Sequence, residues 1–223
     1  MVDKKKARIE ELKRISQEAL LEEKEFYGIN PDVLFVTVGE YYDRDVFKDK
    51  TLLKKISDGV RKIRTRGFFD ISTGNSFVFV NKTFKIGNIY SDDMLSDMVF
   101  VGYHEFRHKL QHLDGFVSPS DKAIIMQERT LQQYSRKDYI NRHDQYFMEA
   151  DANLYGLKRT KSFLKRKYPD IYGNVESRLE AKEHMTDFYL NNYDYQSLFD
   201  SFYDICCEEN INLTSVPEIG IFF

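Results

Sequence analysis

His104-Glu105-Phe106-Arg107-His108 has the spacing H-E-x-x-H. On an α-helix, at about 100° per residue, positions four apart return to within about 40° of each other, one turn along the axis. Two imidazoles so placed can share one metal ion at roughly 2.0–2.1 Å each. Glu105 is rotated out of that line. Its carboxylate is then expected beside the open coordination position and not on the ion, which suits a general base. With five histidines in the chain, random placement would produce this pattern about 0.01 times in a sequence of this length, so coincidence is the weaker reading.

The flanking residues supply a helix for the motif. Ser91-Asp92-Asp93 offers N-caps and places carboxylates at the positive helix end. Met94, Leu95, Met98, Val99, Val101, Phe106, Leu110 and Leu113 follow with helical periodicity, predicting a largely buried helix over 92–112. Asp114-Gly115 stops it, glycine being usual just past a helix end. Upstream, 76–80 and 83–89 are rich in aromatic and β-branched residues and are joined by Asn81-Lys82, a pattern predicting a β-hairpin. A hairpin leading into a buried H-E-x-x-H helix is the arrangement of zinc peptidases, in which an edge strand above the metal can pair with an extended peptide.

Composition bounds the alternatives. The chain has 223 residues, 42% of them hydrophobic and 15% aromatic, enough for one domain or a small two-lobed one with its own core. A net charge of −3 carries no nucleic-acid signature for the chain as a whole. Locally basic stretches stand at Lys54-Lys55, at Arg61-Lys62-Arg64-Arg66 and over 158–167; such runs are usually solvated helix faces. No apolar run approaches a membrane span, and no apolar stretch of a secretory signal follows the N-terminal lysines. Cys206 and Cys207 are adjacent, and neighbouring cysteines rarely pair. They are expected as small buried or half-buried hydrophobes. A reducing cytoplasm is the expected compartment.

Periodicity predicts an α+β fold: a small antiparallel or mixed sheet, then the metal helix, then a mostly helical C-terminal half. The division expected is an N-terminal amphipathic helix in 1–30 and a catalytic domain in 31–223, β-rich over 31–90, helical over 91–210 and irregular over 211–223. The first helix, 4–26, has an apolar stripe of Ile9, Leu12, Ile15 and Ala19. Its lysines lie at the start and its glutamates at the end, against the helix dipole, so docking or oligomerisation must hold it. Strands are predicted at 33–38 and 68–71, a turn at 72–75 and a helix at 52–63. Further helices are predicted at 121–134, 138–160, 175–190 and 195–208.

A catalytic zinc site takes three protein ligands and keeps one position open. His112, His143, Glu149, Asp151 and His184 are candidates for the third. His104 and His112 are about 12 Å apart along a straight helix at 1.5 Å per residue, too far to converge with His108 on one ion. On the next helix, wheel phase alone leaves Glu149 and Asp151 both open; both offer hard oxygen ligands.

The piece Glu149-Ala150-Asp151-Ala152-Asn153-Leu154-Tyr155-Gly156 resembles the third-ligand helix of gluzincins, in which a glutamate supplies the ligand. Asn153, one turn on, would accept a ring N–H and fix an imidazole tautomer. Together with Tyr103-His104-Glu105-Phe106-Arg107-His108, it resembles the ImmA/IrrE type of zinc metallopeptidases of Gram-positive bacteria, their phages and mobile elements. The resemblance implies a zincin-like fold, zinc held by His104, His108 and Glu149, and Glu105 as the base in hydrolysis of a peptide or protein substrate. His143, Tyr146, Tyr155 and His184 are the candidates for a donor to the developing oxyanion; Arg107 is expected in a structural ion pair. The alternatives are a catalytically silent zincin fold with a binding or structural role, with a partner held through the N-terminal helix, and a nucleic-acid-binding module.

Overall fold

The computed structural model describes residues 2–36, 67–70, 74–80, 90–134 and 146–209. Among the described residues the helices are α1 (Val2–Tyr27), α2 (Asp92–His112), α3 (Pro119–Tyr134), α4 (Phe147–Lys167), α5 (Pro169–Asn191) and α6 (Tyr195–Glu208). The strands are β1 (Val33–Val36), β2 (Gly67–Asp70) and β3 (Asn75–Phe79). The fold is α+β and predominantly helical.

The sheet is mixed, in the order β1-β3-β2. β1 runs parallel to β3, with Val33 opposite Ser76 and Val36 opposite Phe79. β2 runs antiparallel to β3, with Gly67 opposite Val78 and Asp70 opposite Asn75. Ser76 to Phe79 are buried on both faces of the central strand, as a strand covered on two sides requires. Both edges of β3 are taken, and its antiparallel neighbour is β2, reached through a turn at Gly74, whose φ of 68° a glycine adopts without strain. Segment 83–89 lies outside the described residues, as do the predicted helix at 52–63 and the tail over 211–223.

The chain divides into two compact units. The first comprises Met1–Lys109 and Tyr155–Glu180. It contains α1, the sheet, most of α2, the C-terminal part of α4 and the start of α5. Leu12, Ile15 and Ala19 of the predicted stripe are buried, and the Tyr103 hydroxyl donates to the Ala19 carbonyl at 3.1 Å. Glu23 is fully buried between α1 and α4, where the Tyr155 hydroxyl and the Arg159 guanidinium both donate to it. Arg166 pairs with Glu22, and Lys167 lies 3.7 Å from Glu18. The acidic end of α1, unfavourable toward its own dipole, thus meets cations of α4. These belong to the basic run 158–167, in which Lys161 also lies 3.7 Å from Glu180, Lys165 sits over the Tyr172 ring and Lys158 is exposed.

The second unit comprises Leu110–Leu154 and Ala181–Phe223. Its core gathers Ile125 and Leu131 of α3, Met148 of α4, and Phe202 and Cys206 of α6. Cys206 is buried and Cys207 exposed, both as free thiols. Asp194 caps α6 by accepting from the Ser197 N–H at 2.9 Å.

Helix bounds follow the sequence reading at α2 and α6 and depart from it at α4 and α5. The predicted 138–160 helix starts only at Phe147 among the described residues and runs on to Lys167, because Phe163 and Leu164 bury the turn beyond Thr160. Pro169 opens α5 at the first helical position, where it lacks only an N–H that would be unsatisfied anyway, so α5 starts earlier than residue 175. None of the helices among the described residues is long and apolar enough to cross a membrane.

The Glu23 cluster yields a first prediction. Arg159→Met leaves the buried Glu23 charge with only Tyr155 and is expected to cost about 3–5 kcal/mol of stability. Glu23→Gln keeps a hydrogen-bonding group of the same shape and should cost less. Urea unfolding of the two variants checks the order.

Candidate metal centre

α2 carries His104, Glu105 and His108. It is held from the sheet side at Glu105: the Ser76 hydroxyl of β3 donates to the Glu105 carbonyl at 3.2 Å. Four residues on, the Lys109 ammonium donates to the Asn30 carbonyl at 2.7 Å and pairs with Asp32, just ahead of β1. Helix and sheet are thus fixed to each other along the turn that bears the motif.

His104 and His108 behave as the spacing predicts. Their Nε2 atoms are 3.0 Å apart, with the rings nearly perpendicular at 88°. Phe100, one turn earlier, lies 5.9 Å from the His104 ring. His108 is buried at 7% exposure and His104 is half-buried.

Glu149 is the residue that joins them. One ligand atom from each of His104, His108 and Glu149 lies within 4.8 Å of the others. A tetrahedral zinc site with ligands at 2.0–2.1 Å has ligand atoms about 3.3 Å apart. The imidazole pair is already near that separation, and the carboxylate is within a side-chain adjustment of it. Two imidazole nitrogens and one carboxylate oxygen, largely buried, make a donor set that can hold a divalent metal ion and leave a position open.

Asp151, the open alternative, is engaged elsewhere. The fully buried Gln111 amide donates to Asp151 Oδ2 at 2.7 Å and to the Met148 carbonyl at 2.9 Å. Gln111 stands three residues after His108, so this bond ties α4 to α2 one turn from the ligands. Further along, Gly156 faces Phe100: a Cβ there would lie 3.1 Å from the Phe100 ring and 3.2 Å from its carbonyl. The Arg107 guanidinium lies over the Tyr155 ring at 5.4 Å, a cation–π contact.

Glu105 is buried at 3% exposure. β2 approaches it so closely that a Cβ on Gly67 would stand 2.5 Å from Glu105 Oε1 and 3.0 Å from Cγ and Cδ. Only a residue without a side chain leaves that carboxylate its place.

Among the described residues, neither His112 nor His184 joins the cluster. His112 is exposed; burial, then Arg129 at 3.2 Å and Lys122, hold its pKa below the usual histidine value. His184 is exposed on α5. The Tyr155 hydroxyl donates to Glu23, and burial, then that charge, push its pKa far up, so it is not poised to donate to a substrate. Tyr146 immediately precedes α4, and His143 lies outside the described residues. Asn153 is half-buried one turn after Glu149.

Three participants were not anticipated. Gly67 has no signal in its local sequence. Gln111 had one: a polar residue three positions after His108 on the buried face of α2. Glu128 had another, since it interrupts the apolar stripe of Ile124, Ile125 and Leu131 on α3. Its carboxylate is fully buried and accepts from the N–H groups of Phe147 at 2.6 Å and Met148 at 2.8 Å. The Tyr193 hydroxyl donates to it at 2.5 Å. Burial pushes the Glu128 carboxyl up to about 7, against these three hydrogen bonds, with the Glu149 charge adding to the rise.

Comparison with protein-family models, with curated proteins and with solved structures finds no match to this chain.

The Gly67 contact is testable by a double-mutant cycle. Gly67→Ala is expected to cost about 1–3 kcal/mol through overpacking. In a Glu105→Ala background the clashing atoms beyond Cβ are gone, so most of that cost should disappear. Denaturant unfolding of the four proteins measures the coupling.

Proposed function

We propose that the chain is a zinc-dependent peptidase of zincin type, similar to the ImmA/IrrE metallopeptidases, acting on a peptide or protein substrate. The observation that carries this reading is the convergence of His104, His108 and Glu149 within ligand distance, with the buried Glu105 on the same helix. The donor set is that of catalytic zinc sites with two histidines and one glutamate. Zinc bound there would supply Lewis acidity, lowering the pKa of water toward about 7 and polarising a peptide carbonyl.

The chain's own residues supply the remainder. Glu105 takes a proton from the attacking water at its carboxylate and returns it to the leaving amine. Gly67 and Ser76 hold that carboxylate and its backbone against the sheet, so the base is positioned by β2 and β3 before substrate arrives. Burial of Glu105 and His108 keeps bulk water from screening the charges that develop.

Two measurements test the reading. Purified protein is expected to hold close to one zinc per chain, and His108→Ala to lose it. Glu105→Gln should retain zinc while cleavage of a degenerate peptide library, followed by mass spectrometry, falls by about 10²–10⁴-fold. Undiminished cleavage by Glu105→Gln would remove the mechanism.

A further inference from the structure

We propose that Glu128, buttressed by Tyr193, is the positioning residue for the third metal ligand: from α3 it caps the start of α4 and so sets where Glu149 stands. The inference rests on the zinc reading above and extends it to a part of the chain outside both motifs.

A helix leaves its first N–H groups without intrahelical partners. Tyr146 precedes α4, and its carbonyl accepts the first helical bond from the Ala150 N–H at 2.8 Å. A tyrosine side chain has no oxygen placed to cap its own helix, unlike Ser, Thr, Asp or Asn. Glu128 provides the acceptors instead, one carboxylate oxygen to each of the first two N–H groups, Phe147 and Met148. Glu149 is the next residue.

Two consequences follow for Glu149. The first turn of α4 cannot rotate or fray without breaking two charge-assisted hydrogen bonds in a fully buried setting, which fixes the direction of the Glu149 side chain. A glutamate at the third helical position is also disposed to turn back and cap its own helix. The Glu128 charge already occupies the positive helix end, and it repels the Glu149 carboxylate from that end, which leaves it facing the imidazoles. Tyr193, between α5 and α6, completes the clamp by orienting the Glu128 carboxylate with its hydroxyl. The C-terminal helices thereby take part in building the metal centre. Met148, held by Gln111 through its carbonyl and by Glu128 through its N–H, is fixed at both its backbone polar groups.

The test measures zinc affinity of the full chain by competition with a chromophoric chelator, alongside the melting temperature of the metal-free form. Glu128→Gln loses one acceptor and presents an amide N–H to the helix end; zinc should bind about 10–100-fold more weakly. Tyr193→Phe should weaken it in the same direction by less, and it carries the test if Glu128→Gln does not fold. In a Glu149→Ala background neither substitution should weaken zinc further, an outcome that general destabilisation would not produce. Unchanged affinity in a folded variant, or the same loss with and without Glu149, would overturn the inference. A wild-type chain that takes up no zinc would overturn it together with the proposed function, whereas zinc binding indifferent to position 128 would overturn this inference alone.

Discussion

Phe100 and Gly156 meet with no room for a side chain between them, and the candidate site depends on that approach of α4 to α2. A metal ion tolerates ligand positions only within a few tenths of an ångström, so two helices bearing its ligands must be held at a fixed separation. Contacts on either side of the ligands do so. Arg107 over Tyr155 and Phe100 against Gly156 lie toward the C-terminal part of α4; Gln111 on Met148 and Asp151 lies toward its start. One set is packing and the other is hydrogen bonding, and each restricts a different freedom. Packing sets distance, whereas the directional amide bonds set rotation about the helix axis.

Three buried glutamates show how environment assigns different work to one side chain. Glu23 is neutralised by Arg159 and Tyr155 and fastens α1 to α4. Burial works against the Arg159 cation, yet the charge and hydrogen bonds of Glu23 outweigh it and hold the Arg159 pKa above its ordinary value. Glu128 has no cation in its hydrogen-bond set. It is met by two backbone N–H groups and a phenol, and its carboxyl rises accordingly. Glu105 lies under a strand too close to admit any side chain at Gly67, which leaves its carboxylate little freedom of direction. Buried charge is costly unless met by a partner. For Glu23 that partner is a cation and for Glu128 a helix end, while Glu105 stands beside the candidate metal centre.

The charge layout of α1 follows the same rule. Acidic residues at its C-terminal end oppose the helix dipole and would weaken the helix in isolation. Facing Arg159, Arg166 and Lys167, they become the means by which α1 is fastened to its own chain. Arg166 and Lys167 sit in the last turn of α4, where they complement that helix's dipole as well. Part of the basic run 158–167 is in this way paired within the chain.

The amino-acid order by itself determined the H-E-x-x-H helix, its ends and its histidine pair. Helical periodicity and the i, i+4 spacing are local properties that need no knowledge of the rest of the chain, and Asp92–His112 was legible for that reason. α6 was legible over 195–208, and β1 and β2 through their aromatic and β-branched runs, over the residues described. What tertiary structure decided is everything that depends on two segments meeting. β3 lies between β1 and β2, an order that depends on which segments meet and not on their sequence along the chain. Glu149 and not Asp151 reaches the histidines, because Gln111, on another helix, engages Asp151. Gly67 matters only because β2 passes over Glu105, and Glu128 only because α3 brings it to the first turn of α4. Spacing along a chain can specify which side chains share a helix face; only the packed fold specifies what that face touches.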